Sequence, residues 1–127
     1  MTLHKQVCRE VVQRVLTADK AASVLPEFGI RGEKGRRVND GHGKSKPAKG
    51  PSHKIDVLVV LSNGACLAIE VDGASHAGKR AKKFDNRKAR ALRSFCVPLV
   101  RVDLRQGEQH IHHQLERLGH RVNRMLC

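Results

Sequence analysis

The chain has 127 residues but no Trp, no Tyr and only three Phe. Proteins that hold single strands by stacking bases on aromatic side chains are therefore disfavoured. No apolar run reaches the roughly 18 residues that a transmembrane helix needs, so we expect no membrane partner. The opening residues, MTLHKQVCREVV, contain neither the apolar core nor the cleavage site of a secretion signal. The length suits a single domain, residues 1–127, and without a secretion signal we expect it to work in the cytoplasm.

Cysteine is scarce and scattered, since Cys8, Cys66, Cys96 and Cys127 form no CxxC pair. A structural zinc site built on them is not expected, and a reducing compartment is the simplest setting. The segment HIHH at 110–113 offers two histidines one helical turn apart but no third ligand. We therefore interpret it as a solvated helix face.

Acidic residues are also few, because 12 Asp and Glu stand against 25 Lys and Arg, a formal net charge of +13. This excess predicts a polyanionic partner, nucleic acid before an acidic membrane. Residues 31–54 hold eight Lys or Arg and two acids, a charge of +6, and residues 77–95 hold eight and one, a charge of +7. A charge concentrated in two segments is typical of a surface that contacts a phosphate backbone.

Apolar periodicity predicts an α/β fold with a central mixed sheet flanked by helices. Residues 31–54 show no periodicity and carry five Gly and two Pro, which indicates a mobile basic loop. The order strand, helix, strand that begins with the Glu70 strand indicates a βαβ crossover. In such a crossover, residues 99–102 would run parallel to the Glu70 strand. The predicted elements are helices at 3–18, 77–95 and 108–126 and strands at 26–30, 55–61, 65–71 and 97–102. The helix at 77–95 is expected to share one apolar face among Ala81, Phe84, Ala91, Leu92 and Phe95.

The runs IDVLVVL and ACLAIEV are joined by SNG, which is a strong hairpin signal. A two-residue turn of Asn and Gly would set Asp56 and Glu70 on opposite faces. A three-residue loop, with Gly64 in the left-handed conformation, would pair Leu61 with Ala65 and place Asp56 directly opposite Glu70. The sequence leaves both registers open.

The stretch IEVDGASH at 69–76 carries Glu70 and Asp72 next to apolar residues. Burying an ionised carboxylate is costly unless something compensates its charge. If Asp56 converges with Glu70, a hard cation such as Mg²⁺ would compensate both, since it takes oxygen ligands and retains several waters. Such an ion also polarises phosphate oxygens and acidifies bound water, which phosphodiester hydrolysis requires.

Asp56, the EVD at 70–72 and a basic helix followed by VPLVRV form an ordered block within residues 54–103. This block resembles the PD-(D/E)xK nuclease superfamily, in particular small bacterial and phage domains with an ExDGxxH core that are related to very-short-patch repair endonucleases. The resemblance implies a restriction-endonuclease-like core and DNA cleavage with Mg²⁺ or Mn²⁺ in a bacterium or a phage-infected host. It also implies metal binding by Asp56 and Glu70, with the Val71 carbonyl as a third oxygen.

One position departs from the family pattern, because Asp72 stands where the family has a lysine that orients the attacking water. A lysine of the next helix is expected to replace it, Lys83 before Lys79, or His76 takes part of the role as general base or phosphate contact. In related nucleases a Glu of the first helix also approaches the metal, and Glu10 matches it by position. The predicted catalytic residues are Asp56, Glu70, Asp72, His76 and Lys83.

DNA is the expected partner, with RNA as an alternative, and cutting both strands would favour a homodimer. The predicted nucleic-acid contacts come from the loop and the basic helix: Arg36, Arg37, Lys44, Lys46, Lys79, Arg80, Lys82 and Arg87. Two other functions stay open, namely a nucleic-acid-binding protein that has lost the chemistry and an interaction subunit of a larger complex.

The individual residues have structural interpretations too. Asp56 could cap a strand end or pair with Arg101, and Glu70 could pair with a Lys or Arg of the helix. Asp72–Gly73 could form a simple turn, and His76 could start the helix.

Overall fold

The structure is a computed structural model of the protein, and it describes residues 1–30, 37–39, 45–47, 53–73 and 79–127. For 37–39, 45–47 and 79–85 only the backbone is described. The elements are α1 Leu3–Ala18, β1 Ser23–Ile30, β2 Arg37–Asn39, β3 Ser45–Pro47, β4 His53–Val60, β5 Cys66–Asp72, α2 Lys79–Ser94, β6 Leu99–Asp103 and α3 Glu108–Met125.

The main sheet has four strands in the order β1-β4-β5-β6. β1 and β5 pair with β4 in antiparallel fashion, whereas β6 pairs with β5 in parallel. The predicted α/β class, the mixed sheet and the parallel strand after α2 are therefore confirmed. β1 is an edge strand, which explains how it tolerates Pro26.

Two short strands lie inside the segment that the sequence predicts as a loop. β2 and β3 pair with each other in a separate two-stranded sheet, and β4 begins at His53, two residues before the predicted start. The sequence missed β2 and β3 because each has three residues, too few to show an alternating pattern.

The helices cover both faces of the main sheet. On one face, Val7, Val11 and Val15 of α1 and the buried residues of α3 pack on β4, β5 and β6. On the other face, Leu92 of α2 packs with Ile55, Leu58 and Ala68. Phe95 does not join this face as predicted, because α2 ends at Ser94 and the Phe95 side chain is 60% exposed.

The β4–β5 hairpin has the three-residue loop. Leu61 N–H donates to the Ala65 carbonyl at 2.8 Å, and Gly64 N–H donates back to the Leu61 carbonyl at 2.9 Å. Gly64 has φ +87°, a left-handed conformation that only glycine adopts without strain. The Cα pairing then runs from Val60–Cys66 to Val57–Ile69.

Gly64→Ala should destabilise the protein by about 1 kcal/mol, because alanine is strained at this positive φ. Gly119→Ala is the matched control, since Gly119 lies inside α3 and a Cβ there would meet nothing within 4 Å. We expect it to stabilise the protein by up to about 1 kcal/mol. Urea denaturation of both variants measures the difference, and effects of the same sign would contradict the loop assignment.

None of the helices that the structure describes combines the length and the apolar composition that a bilayer-spanning helix needs.

Candidate active site

Asp56 stands at an irregular point of β4. Residues two apart in a regular strand face the same side of the sheet, but Ile55 packs with Leu92 of α2 whereas Val57 packs on the opposite face. On β1, Glu27 lies between the pairs that flank Asp56 and has φ +51°, a left-handed conformation. Irregularities of this kind re-aim a side chain and are over-represented next to active sites.

The Asp56 carboxylate is held by two groups. Continuing the register of β4 and β5 by one residue places Asp56 opposite Glu70. There, Asp56 Oδ2 accepts the Val71 N–H at 2.8 Å and lies 3.4 Å from Nε2 of His4 on α1. A bond from a backbone N–H to an ionised carboxylate is a strong one. Both contacts use Oδ2, so with respect to the described side chains Oδ1 is the oxygen that a ligand could take.

The Glu70 carboxylate is buried, with 5% of the residue exposed, and reaches towards the other helix layer. Its Oε1 accepts from Nζ of Lys88 on α2 at 2.9 Å. Burial is the main cause that raises the pKa of Glu70 above its ordinary 4.5, the Lys88 ammonium opposes the rise, and the neighbouring Asp56 carboxylate adds to it by charge and hydrogen bonding. The register of the hairpin thus places the two acids opposite each other, although Asp56 contacts α1 and Glu70 contacts α2.

The donor set fits a hard divalent cation. Among the described residues, no three or more His, Cys, Asp and Glu side chains are grouped so as to hold a metal ion. Two carboxylates, with the Val71 main chain beside Asp56, match the sparse oxygen coordination of Mg²⁺, which keeps most of its waters. An ion between Asp56 and Glu70 would also relieve the repulsion by Asp56, which adds to the rise that burial causes in the pKa of Glu70.

Several neighbours of this site are absent from the sequence-based set. Lys88 is the clearest. It lies four residues from both Phe84 and Leu92 on the predicted apolar face, but the sequence alone does not separate it from the seven other cations of 77–95. His4, which contacts Asp56, is also absent from the residues predicted from the sequence. His53 has its pKa lowered by burial and then by Lys88 and Arg87, so its imidazole is neutral near neutral pH and able to accept a proton.

The other predicted site residues either lie away from Asp56 and Glu70 or have side chains that the structure does not describe. Asp72 binds Arg101 at 3.1 Å, so Arg101 pairs with this acid rather than with Asp56. Glu10 is exposed on α1 and is not brought to the site, because the buried stripe of that helix leaves it on the outer face. His112 pairs with Glu116 at the surface, as a solvated helix face would.

Most predicted nucleic-acid contacts fall where side chains are not described. Arg87 is described and exposed. The residues outside the described side chains are His76, Lys83, Arg36, Arg37, Lys44, Lys46, Lys79, Arg80 and Lys82. Their roles remain predictions.

Cys8 of α1 offers a reporter for the two carboxylates. Burial raises the pKa of its thiol from 9.0 to about 11, and the charges of Asp56 and then Glu70 add to the rise. We expect Asp56→Asn or Glu70→Gln to speed alkylation of Cys8 severalfold, because each lowers the thiol pKa and thiolate is the reactive form. Iodoacetamide kinetics near pH 8, with the other three cysteines changed to serine, measures this effect.

Glu116→Gln is the control for that experiment, since Glu116 is exposed and is not among the groups that shift the Cys8 pKa. Alkylation rates that respond equally to all three substitutions would show that the two carboxylates do not converge beside Cys8.

A protein-family model described as "Protein of unknown function (DUF2726)" matches residues 44–118, more than half of the chain. The chain belongs to this family. No curated protein and no solved structure matches it. The DUF2726 segment contains Asp56, Glu70 and Lys88, whereas α1, with His4 and Cys8, lies before it.

Proposed function

We propose that this DUF2726 protein is a metal-dependent endonuclease that hydrolyses DNA phosphodiester bonds on a restriction-endonuclease-like core. The observation that carries the proposal is geometric: the β4–β5 register places Asp56 opposite Glu70, and Asp56 Oδ2 accepts the N–H of Val71, the residue after Glu70, at 2.8 Å. Two interacting acids, one of them buried, are unfavourable without a cation. The net charge of +13 supports a polyanionic substrate.

Asp56 and Glu70 would hold Mg²⁺ or Mn²⁺, with the Val71 carbonyl as a third oxygen. When bound, the ion polarises a phosphate oxygen and acidifies a water. The Val71 N–H and His4 fix the Asp56 carboxylate for this task. Burial keeps bulk water from the Glu70 carboxylate.

Lys88 takes the role of the motif lysine, whose position Asp72 occupies. Its ammonium touches the Glu70 carboxylate, so it offsets charge there and is placed to orient an attacking water. Lys88 therefore replaces Lys83, the candidate from the sequence, which lies on the same helix.

Supercoiled plasmid tests the proposal. We expect nicking or linearisation with Mg²⁺ or Mn²⁺, none with EDTA, and loss of cleavage but not of DNA binding in Asp56→Ala. A single-stranded RNA of matched length separates the alternative substrate. Absence of cleavage with either metal over a wide pH range would overturn the proposal.

That negative outcome, combined with salt-sensitive DNA binding, would support the second candidate, a nucleic-acid-binding protein without the chemistry. The Lys88–Glu70 ion pair favours this candidate, because it compensates one acid without a metal.

A further inference from the structure

A cleft of about 400 Å³ opens between β6 and α3. Leu118, which is buried, and Val100 contribute apolar lining, and Gln114 is anchored to the Asp103 backbone by two hydrogen bonds of 2.8 Å. The remaining lining is cationic or titratable to a cation: Arg101, Arg117, His120, Arg121 and Arg124. Among the residues that the structure describes, no carboxylate contributes to this lining.

Three of these arginines form a row along α3. Arg117, Arg121 and Arg124 follow one another at spacings of four and three residues, so they lie on one side of the helix, about 6 and 4.5 Å apart along its axis. Within the described part of the chain, none of the three forms an ion pair. Like charges at these spacings oppose helix stability, and an anionic ligand would remove that cost.

We propose that this cleft binds the phosphate backbone of the DNA substrate beside the cleaved bond. Arg101 connects the cleft to the candidate active site, because it lines the cleft, pairs in register with Glu70 on the adjacent strand and binds Asp72. β6 is an edge strand of the main sheet, and neighbouring strands lie about 4.8 Å apart. A backbone that leaves the acids on the α2 side therefore reaches the cleft on the α3 side by crossing this edge at Arg101. The proposal rests on the endonuclease function, since it takes DNA as the substrate.

The distribution of net charge along the sequence does not predict this surface. Residues outside 31–54 and 77–95 sum to zero charge, so net charge assigns no phosphate contacts to the C-terminal helix. The fold separates the charges that cancel in that sum, because Asp103 is held by Arg105 at 3.0 Å and Glu116 by His112. The arginine row is left on its own side of α3.

The test is a triple variant, Arg117→Gln/Arg121→Gln/Arg124→Gln, against a control of equal charge change, Lys5→Gln/Arg9→Gln/Lys20→Gln. The three control residues are exposed and lie outside the cleft. Binding of a short fluorescent DNA duplex is measured in EDTA over a range of KCl concentrations, and thermal melting confirms that both variants fold.

We expect the arginine-row variant to bind duplex about 10- to 100-fold more weakly and its plot of log K against log salt to be shallower by about two to three. The control should lose less than about threefold, because scattered exposed charges act through the weak general field. Equal losses in both variants, or wild-type binding by the arginine-row variant, would overturn the proposal.

Two further arms separate the remaining outcomes. In the first arm, vesicles of phosphatidylcholine with phosphatidylserine replace DNA. If the arginine-row variant loses vesicle binding but keeps duplex binding, the cleft binds a lipid surface and the proposal is overturned. Plasmid cleavage with Mg²⁺ is followed in the second. If the wild type binds through the row but never cuts, the DNA contact stands and the endonuclease function fails.

Discussion

Glu70→Gln should lower Mg²⁺-dependent DNA cleavage by about three orders of magnitude, equivalent to about 4 kcal/mol of lost transition-state stabilisation. Glutamine keeps the size of the side chain but removes the negative charge that would hold the ion. Glu70 is buried and in contact with Lys88, and an amide of the same shape should disturb the packing around it little. Single-turnover cleavage of plasmid at saturating protein concentration measures the chemical step.

Two comparisons make this result specific to the site. Glu116→Gln removes the same charge from the surface of α3 and should cleave at the wild-type rate. Combining Glu70→Gln with Asp56→Asn should cost little more than either change alone, because both residues serve one ion and such effects are not additive. Full activity in Glu70→Gln, or losses that add, would contradict a shared metal site.

Lys88→Met should reduce cleavage about a hundredfold and destabilise the metal-free protein by about 3 kcal/mol near pH 8, because it leaves the buried Glu70 carboxylate without its cation. Lys88→Arg should keep most of the stability and lose part of the cleavage, since the guanidinium places its donors differently. Arg90→Met, an exposed change on the same helix, controls for the stability measurement.

The stability loss in Lys88→Met should depend on pH in a defined direction. Removing the ammonium raises the pKa of Glu70 further above its ordinary 4.5, because Lys88 is the group that lowers it. A raised native pKa gives stability that is present at low pH and lost as the pH rises. The variant should therefore approach the wild type near about pH 4 and fall below it towards about pH 8 in urea titrations. A loss that is constant across this range would refute the ion pair.

Local signals predicted most of the fold. Valines at i, i+4 spacing in α1 and apolar residues at helical spacing in α3 predicted the bounds of both helices to within one residue at each end. In the hairpin, the sequence is compatible with two registers, because Asn63–Gly64 suits either loop length. The hydrogen bond between Leu61 and Ala65 shows which register forms. β1 was found only in part because most of its residues are exposed.

The acids of the site were predictable, whereas their partners depended on packing. Asp56 and Glu70 stand out as charges beside buried strands. Lys88 is one of eight cations in 77–95, and its choice follows from the rotation of α2, which buries Ala91 and Leu92. The irregularity at Asp56 involves Glu27 of β1, a strand that is distant from β4 in sequence, and no local pattern of residues encodes it.

The central claim is that Asp56 and Glu70 together bind a divalent ion. Anomalous diffraction from a crystal soaked in MnCl₂ tests it most directly. We predict one peak bridging the two carboxylates, at oxygen distances of about 2.0–2.3 Å, and its disappearance in Asp56→Asn. A fully soaked crystal without a peak between these side chains would contradict the account. So would a peak that other residues hold and that persists in Asp56→Asn.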